Sequence, residues 1–325
     1  MTRRLAIFAH WDKDNMIDEY VVYYLNELKK IADIVFVSDS DLSADELKKV
    51  GPFVLKSIAH KHGEYDFGSY KRGFLDIEEK LNNYDELIFA NDSGYGPFFP
   101  FTEIWEKMAL VPCDYWGLFK HLDPRVATWH IQSFFIVFKK QVFLSSRFRT
   151  FIKDIGPQKK KEDVILKYEI GLSSVLEHAG FQSASLCPQS DENETHQKKT
   201  YELTRNHKFP LLKKAFAIEN PCREPYVYKT IMDLQDFLSD KYSYQLIDDN
   251  LRRTAPKNYK DRWFHPDLIK TTLLHKKFIR IKETSGKYFC FMTIKLFGIS
   301  CFVFPSRFLF RRWKYERGKK KTTPC

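Results

Sequence analysis

Cysteine chemistry has little to work with in this chain. Its six cysteines (Cys113, Cys187, Cys222, Cys290, Cys301 and Cys325) lie far apart and form no CxxC pair. That argues against a thiolate zinc site or a disulfide framework, and reduced cytosolic thiols are the expectation. A secretory leader is also missing from the reading, because only five apolar residues, Leu5 to Ala9, precede His10, Trp11 and Asp12. No internal repeat is visible. No apolar run reaches the roughly 20 residues of a membrane-spanning helix. The nearest, Tyr288 to Phe304, has 17 residues and carries Lys295 near its centre. Acidic residues are scarce in one region only. Residues 257–325 hold 18 lysines and arginines against 4 acidic residues, whereas residues 1–256 hold 35 against 38. A nucleic-acid-binding fold that is basic throughout would not divide in this way, so no nucleic-acid partner is expected. The division suggests a domain at 1–256 and a basic, aromatic-rich C-terminal extension at 257–325.

What is present is a core-forming chain, with 43% hydrophobic and 16% aromatic residues in 325. Leu5–Ala9 reads as a first strand. Ile17 to Ala32 repeats apolar residues at helical spacing (Ile17, Val21, Tyr24, Leu25, Leu28, Ile31). Ile34–Val37 is a second strand that ends in Ser38-Asp39-Ser40. Ser43 is placed to cap a short helix through Val50, with Glu46 closing a capping box. Phe67 to Leu81 reads as a helix, and Leu87–Ala90 as a third strand. That strand stops at Asn91-Asp92-Ser93, where Gly94, Gly96 and Pro97 force a loop. Strand and helix alternate with short links, which predicts an α/β fold with a mostly parallel sheet flanked by helices. Each strand ends in polar residues: His10 and Asp12, Asp39, and Asp92. The carboxyl edge of such a sheet is where ligands bind.

Between the second and third strands, His62 to Gly73 contains Gly68 and Gly73, which permit close backbone approach, and Ser69 as a helix cap. Lys71 and Arg72 add positive charge near a helix start, a combination that suits a diphosphate, although a solvated helix fits the same residues. Further along, Cys113–Leu118 and Ile131–Phe138 read as strands, the second headed by His130. Lys159 to Asp163 is a charged loop, and Val164 to Phe181 an amphipathic helix. Leu186 to Thr200 is a polar loop suited to a lid. Lys213 and Lys214 read as solvated lysines, with contact to phosphate as the other reading. Pro225 to Asp249 reads as one helix.

Three runs carry a resemblance: His62–Gly73, Tyr84–Phe101 and His130–Lys140. In order and spacing they resemble the rhamnan-synthesis protein F family of polysaccharide-building glycosyltransferases, mostly rhamnosyltransferases. The resemblance covers about residues 3 to 230, and His207–Phe216 resembles a segment that closes the family's transferase region. Beneath it lies a weaker resemblance to inverting transferases of the Rossmann-related GT-A fold. These likenesses imply transfer of a sugar from a nucleotide-diphosphate donor, dTDP-rhamnose foremost, to a polysaccharide or lipid-linked glycan. They imply donor contacts from His10, Asp12, Asp39, Asp66, Lys71, Arg72 and Asp92. They also imply Glu169 as the base, with Glu162 and Asp163 as competitors, and His130 in the acceptor pocket. The family pattern of Asp-x-Asp for a divalent cation (Mg2+ or Mn2+) is incomplete here, because Asn91-Asp92-Ser93 leaves Asp92 as the single metal-binding carboxylate. A catalytically inactive sugar-nucleotide or glycan-binding subunit is the alternative that this departure raises.

The extension has positive charge on both sides of Tyr288–Phe304: Lys276, Lys277, Arg280, Lys282 and Lys287 before it, and Arg307, Arg311, Arg312, Lys314 and Arg317 after it. A spanning helix would show asymmetry in these charges. An interfacial segment on an anionic membrane fits them, which implies a cytoplasmic protein held peripherally on the inner face of the cell membrane. A hairpin of Phe278–Lys282 with Tyr288–Ile294 about Thr284-Ser285-Gly286 is the other arrangement. Each basic residue near an anionic leaflet adds about 1 kcal/mol. The full-length chain is therefore expected to sediment with anionic vesicles at physiological salt and to stay in solution beside neutral ones. Equal behaviour with both vesicle types contradicts the anchor.

Overall fold

The computed structural model describes residues 2–123, 125–187, 200–221, 227–257 and 259, together with the backbone of 279–285, 290–296 and 299–305. It divides into two units, one of residues 1–214 and 233–253, the other of residues 215–232 and 254–325.

In the first unit, β1 (Arg4–His10), α1 (Glu19–Lys29), β2 (Asp33–Ser38), α2 (Ala44–Val50), β3 (Lys56–Ala59), α3 (Tyr65–Asp76) and β4 (Glu86–Asn91) alternate. A second run follows with β5 (Gly94–Tyr95), α4 (Phe101–Met108), β6 (Tyr115–Asp123), β7 (Thr128–Ile131) and β8 (Phe135–Lys139). Next come α5 (Lys140–Phe143), α6 (Ser146–Lys153), α7 (Lys161–Val164), a π-helical turn at Ile165–Ile170, α8 (Gly171–His178) and β9 (Ser183–Cys187). The remaining elements before the extension are α9 (Thr200–His207), β10 (Leu212–Lys213), α10 (Lys214–Ile218), α11 (Val227–Phe237) and α12 (Gln245–Thr254).

The main sheet has the order β3-β2-β1-β4-β8-β6-β7, with β9 beside β6. β1 pairs in parallel with β2 and β4, bringing Ala6 opposite Ile34 and Ile88. β3 continues the parallel set, and β8 runs antiparallel between β4 and β6. The expected α/β architecture, a mostly parallel sheet flanked by helices, is present. The reason is legible in β1, whose residues Leu5 to His10 are all buried. A parallel strand covered by helices on both faces needs a continuous apolar run.

α3 packs directly on that strand. A Cβ added to Gly73 would lie 2.5 Å from Ile7 Cγ2 and 3.1 Å from Val37 Cγ2. Gly68 is similarly tight against Glu64 and His62. Both close approaches therefore join protein to protein. Ser69 lies inside α3, buried, with its Oγ 3.0 Å from His62 Nε2, and does not cap the helix. Under α3, the rings of Tyr70 and Phe89 stack at 4.3 Å.

Several boundaries differ from expectation for identifiable reasons. Ser43 caps α2 by accepting the Glu46 N–H at 3.2 Å. The Glu46 carboxylate accepts from Ile17 N instead of closing the box, which ties α2 to the loop before α1. Residues 131–138 are two strands, because the Ser133 N–H is taken by Glu169 rather than by a neighbouring strand. The helix expected over 164–181 is built of α7, the π turn and α8, and the one expected over 225–249 is α11 and α12. Most of the polar loop read as a lid, residues 188–199, lies outside the described residues.

In the second unit, β11 (Ile279–Ser285), β12 (Cys290–Leu296) and β13 (Ile299–Pro305) form an antiparallel sheet with Ile279 opposite Leu296. Of the two arrangements expected for the extension, strand pairing is the one formed, and the residues flanking it lie outside the described set. No helix among the described residues is long and apolar enough to cross a membrane. The tight contact at Gly73 yields a stability test. Gly73→Val is expected to cost about 3 kcal/mol, the upper end for overpacking a core, read as a lower denaturant midpoint. An unchanged midpoint means that α3 can lift from β1 without cost.

Candidate functional site

The carboxyl edge of β1, β2 and β4 gathers the polar residues that end these strands. His10 is buried, with Nδ1 2.8 Å from Ser38 Oγ and Nε2 3.9 Å from Asp92 Oδ2. Burial lowers its pKa despite the pull of Asp92, so the ring is neutral at physiological pH. Asp92 Oδ2 accepts the Trp11 N–H at 3.3 Å. Asp39 uses one oxygen to accept the His62 and Gly63 N–H groups at 2.6 and 2.8 Å. Glu64 N–H in turn donates to His62 Nδ1, which leaves the His62 Nε2 proton for Ser69 Oγ. Burial pushes the His62 ring down to about 4, consistent with this neutral tautomer. Asp39 thus clips the loop into α3.

Asp12 has a comparable structural task. It accepts the Asp14 and Met16 N–H groups and pairs with Arg253 of α12. Arg253 also reaches Asp14 at 2.9 Å and Asp18 at 2.6 Å. Burial works to raise the Asp12 pKa, but the Arg253 and backbone hydrogen bonds outweigh it and leave the group lowered.

Next to this edge is a cavity of about 180 Å³ among the start of α3, the turns after β4 and β7, α7 with the π turn, and β10. One wall is a hydrogen-bonded relay. Asn91 Nδ2 donates to Asp66 Oδ2 at 2.6 Å, and Ser93 donates to Asn91 Oδ1 through both its N–H and its hydroxyl. Lys213 Nζ donates to Ser93 Oγ at 2.5 Å. Lys213 is delivered there by the two-residue pairing of β10 with β5, which sets it opposite Gly94, and by the Lys214 N–H to Ser93 carbonyl bond. Its ammonium lies 4.4 Å above the Phe134 ring. Desolvation pushes the Lys213 pKa down to about 8, although Asp66 and Glu169 oppose this. Desolvation raises Asp66, and the negative charge of Asp92 adds to the effect.

The opposite wall carries Glu169 in the π turn, a local irregularity that often marks a functional position. Its Oε2 accepts the Ser133 N–H at 2.7 Å and the Ser133 hydroxyl, and its Oε1 is 3.3 Å from His130 Nε2. Burial works to raise the Glu169 pKa, but the hydrogen bonds from His130 and Ser133 prevail and lower it. His130 packs edge-on against His121, and its Nδ1 has no hydrogen-bond partner among the described residues. Gln132 lines the cavity, with Oε1 buried and without a partner among the described residues.

The structure therefore brings Asp66 and Glu169 into the cavity lining, holds His130 buried behind Glu169 and outside that lining, and sets His10 with Asp92 beside it. It sends other expected residues elsewhere. Lys71 Nζ donates to the Ile155 carbonyl at 2.6 Å. Arg72 holds Glu64 at 3.0 and 3.2 Å and the Gly68 carbonyl. Neither lines the cavity, nor do Glu162 and Asp163. The positive charge comes instead from Lys161 and Lys213, of which the second reads in sequence as solvated or in contact with phosphate. The signal that pointed to Lys213 was its place in the family-like run His207–Phe216. For a divalent cation the chain offers Asp92, with His10 Nε2 3.9 Å away, and the remaining ligands would come from phosphate and water. Among the described residues, no three His, Cys, Asp or Glu side chains are arranged to hold a metal. Ser93, next to Asp92, accepts a hydrogen bond from the Lys213 ammonium.

Residues 34–292 match the family described as rhamnan synthesis protein F. Protein y4gN of Sinorhizobium fredii is 24% identical over 188 residues, 58% of this chain and 49% of that protein, so the chain spans about half the length of that relative. Virulence protein VirA of Vibrio anguillarum is 25% identical over 272 residues, 71% of this chain and 85% of that protein. Among solved structures, 4-diphosphocytidyl-2C-methyl-D-erythritol synthase aligns with a TM-score of 0.38 at 11% identity, covering 60% of this chain and 93% of that one. Core-mannan synthase A from Aspergillus fumigatus, in its Mn/GDP form, aligns with a TM-score of 0.30 at 8% identity, covering 47% and 63%.

The Glu169 environment makes a pH prediction. Its carboxyl titrates lower in the folded chain than in the unfolded one. The resulting stabilisation is complete above the ordinary glutamate value of about 4.3 and is lost as pH falls through the folded value. The stability gap between wild type and Glu169→Gln is expected to be constant near neutrality and to narrow below about pH 4. A gap that widens on acidification contradicts the assignment.

Proposed function

The chain belongs to the rhamnan synthesis protein F family, and from that membership and its cavity we propose that it is a glycosyltransferase using a nucleotide-diphosphate sugar. The observation that carries the reading is a single cavity in which two carboxylates, Asp66 and Glu169, share the lining with two ammonium groups, Lys161 and Lys213. Transfer of a sugar needs both kinds of charge. A carboxylate takes the proton from the acceptor hydroxyl as its oxygen bonds to the anomeric carbon. Positive charge stabilises the diphosphate as its bond to that carbon breaks.

Glu169 is the base in this reading. Ser133 and His130 fix its orientation and keep it ionised at neutral pH, so it is ready to receive a proton. The acceptor lies on the His130 and Gln132 side, where the unpartnered Gln132 Oε1 is available to a sugar hydroxyl. The donor lies on the Asp66, Ser93 and Lys213 side, nearest the strand edge with His10 and Asp92. Family membership favours a rhamnosyl donor such as dTDP-rhamnose, and a lipid-linked glycan acceptor accords with the basic extension and a site at the inner membrane face.

The alternative, a sugar-nucleotide or glycan-binding subunit without turnover, draws on Asn91-Asp92-Ser93 holding one carboxylate where the metal-binding pattern has two. Incubation with a panel of nucleotide sugars and a glycan acceptor, followed by nucleoside diphosphate release, separates the two. Turnover that falls about a hundredfold or more in Glu169→Gln, with donor binding retained, is the expected result. Binding without turnover in wild type supports the subunit. Absence of any nucleotide-sugar binding overturns both.

A further inference from the structure

We propose that the Lys213 ammonium, assisted by Lys161, holds the donor diphosphate where a divalent cation would otherwise sit, so that this chain binds its nucleotide without a metal. This rests on the nucleotide-sugar reading above and adds the means of diphosphate recognition. Four observations support it. Lys213 is fixed, because the β10–β5 pairing and the bond to Ser93 Oγ hold its ammonium at the turn after β4. Ser93 belongs to the run Asn91-Asp92-Ser93, in which the Asp-x-Asp pattern is incomplete, so the chain itself delivers a cation to that run. The chain itself supplies few metal ligands there, since among the described residues no three His, Cys, Asp or Glu side chains form a group.

The fourth observation concerns charge balance. Neither Lys213 nor Lys161 pairs with a carboxylate among the described residues. The facing carboxylates are otherwise engaged: Asp66 with Asn91, Glu169 with Ser133 and His130, and Asp92 with Trp11 N. Lys213 is thus a partly buried cation supported by a hydroxyl and the face of Phe134, with Asp66, Glu169 and Asp92 near it but none of them ion-paired to it among the described residues. Burying an unpaired charge is costly, and a partner that brings negative oxygens relieves that cost. The two phosphates of a nucleoside diphosphate meet this need, and two ammonium groups match their two centres of charge.

Calorimetric titration of the full-length chain with dTDP, UDP and GDP provides the test, once in excess EDTA and once in excess Mn2+ or Mg2+. At least one nucleotide is expected to bind, with Kd values in the two buffers within about threefold. Lys213→Met is expected to weaken binding by about tenfold to a hundredfold, the range of one charge-assisted hydrogen bond, and Lys213→Arg to recover most of it. Melting curves check that each variant folds. If Lys213→Met does not fold, Lys161→Met, altered at an exposed position, is measured for the same loss. Binding that requires the divalent cation overturns this proposal and leaves the transferase reading standing, as does full affinity in a folded Lys213→Met or, in its place, Lys161→Met. Absence of binding under both conditions overturns the two together.

Discussion

The relay Asp66–Asn91–Ser93–Lys213 couples elements that are distant in the chain. Asn91 ends β4, Asp66 lies in the first turn of α3, and Lys213 comes from β10, more than a hundred residues later. Three side-chain hydrogen bonds tie them around one cavity. The relay runs from a carboxylate through an amide and a hydroxyl to an ammonium, so each member orients the next. Remove the central amide, and the buried groups at both ends lose the partners that offset their desolvation. The cavity's other wall has its own unit, Glu169 with Ser133 and His130, which also interrupts the strand that would otherwise run through residues 131–138. In both walls the site's polar groups and the backbone geometry are set by the same bonds.

Two other polar clusters maintain the edge on which the cavity is built. Asp39 spends an oxygen on the backbone of residues 62 and 63, and Asp12 joins Asp14 and Asp18 around Arg253. Carboxylates at strand ends are expected to meet ligands, and here two of the expected ones secure loops. This leaves fewer charged groups for chemistry and makes their sign pattern clearer. The cavity has Asp66 pushed up by desolvation, Glu169 pulled down by its hydrogen bonds, and Lys213 pushed down. Environments that separate like groups in this way are typical of sites with divided roles.

The fold was legible in sequence because its signals are local. The apolar runs at Leu5–Ala9, Ile34–Val37 and Leu87–Ala90 are continuous, as buried parallel strands require, and the helical repeat of Ile17–Ile31 marks the crossover. β3 was not legible, since Lys56–Ala59 is short and only partly buried at the sheet's edge. The split at residues 132–134 was hidden for a different reason. Nothing near Ser133 in the chain announces that its N–H will be claimed by a glutamate 36 residues away.

By itself the sequence determined the α/β class, the alternation of the central strands with helices, the placing of polar residues at the strands' carboxyl ends, and the family. It also named Asp66 and His130 through the family-like runs, and Glu169, beside Glu162 and Asp163, through the weaker GT-A resemblance. Only the tertiary structure decided which charges meet. Lys71 and Arg72 had the better local context, beside a glycine-containing helix start, yet they bond Ile155 and Glu64. Lys213 had an unremarkable context and lies in the cavity. Backbone form follows from neighbouring residues, whereas a long cationic side chain takes whichever partner the packing of remote segments brings within its reach.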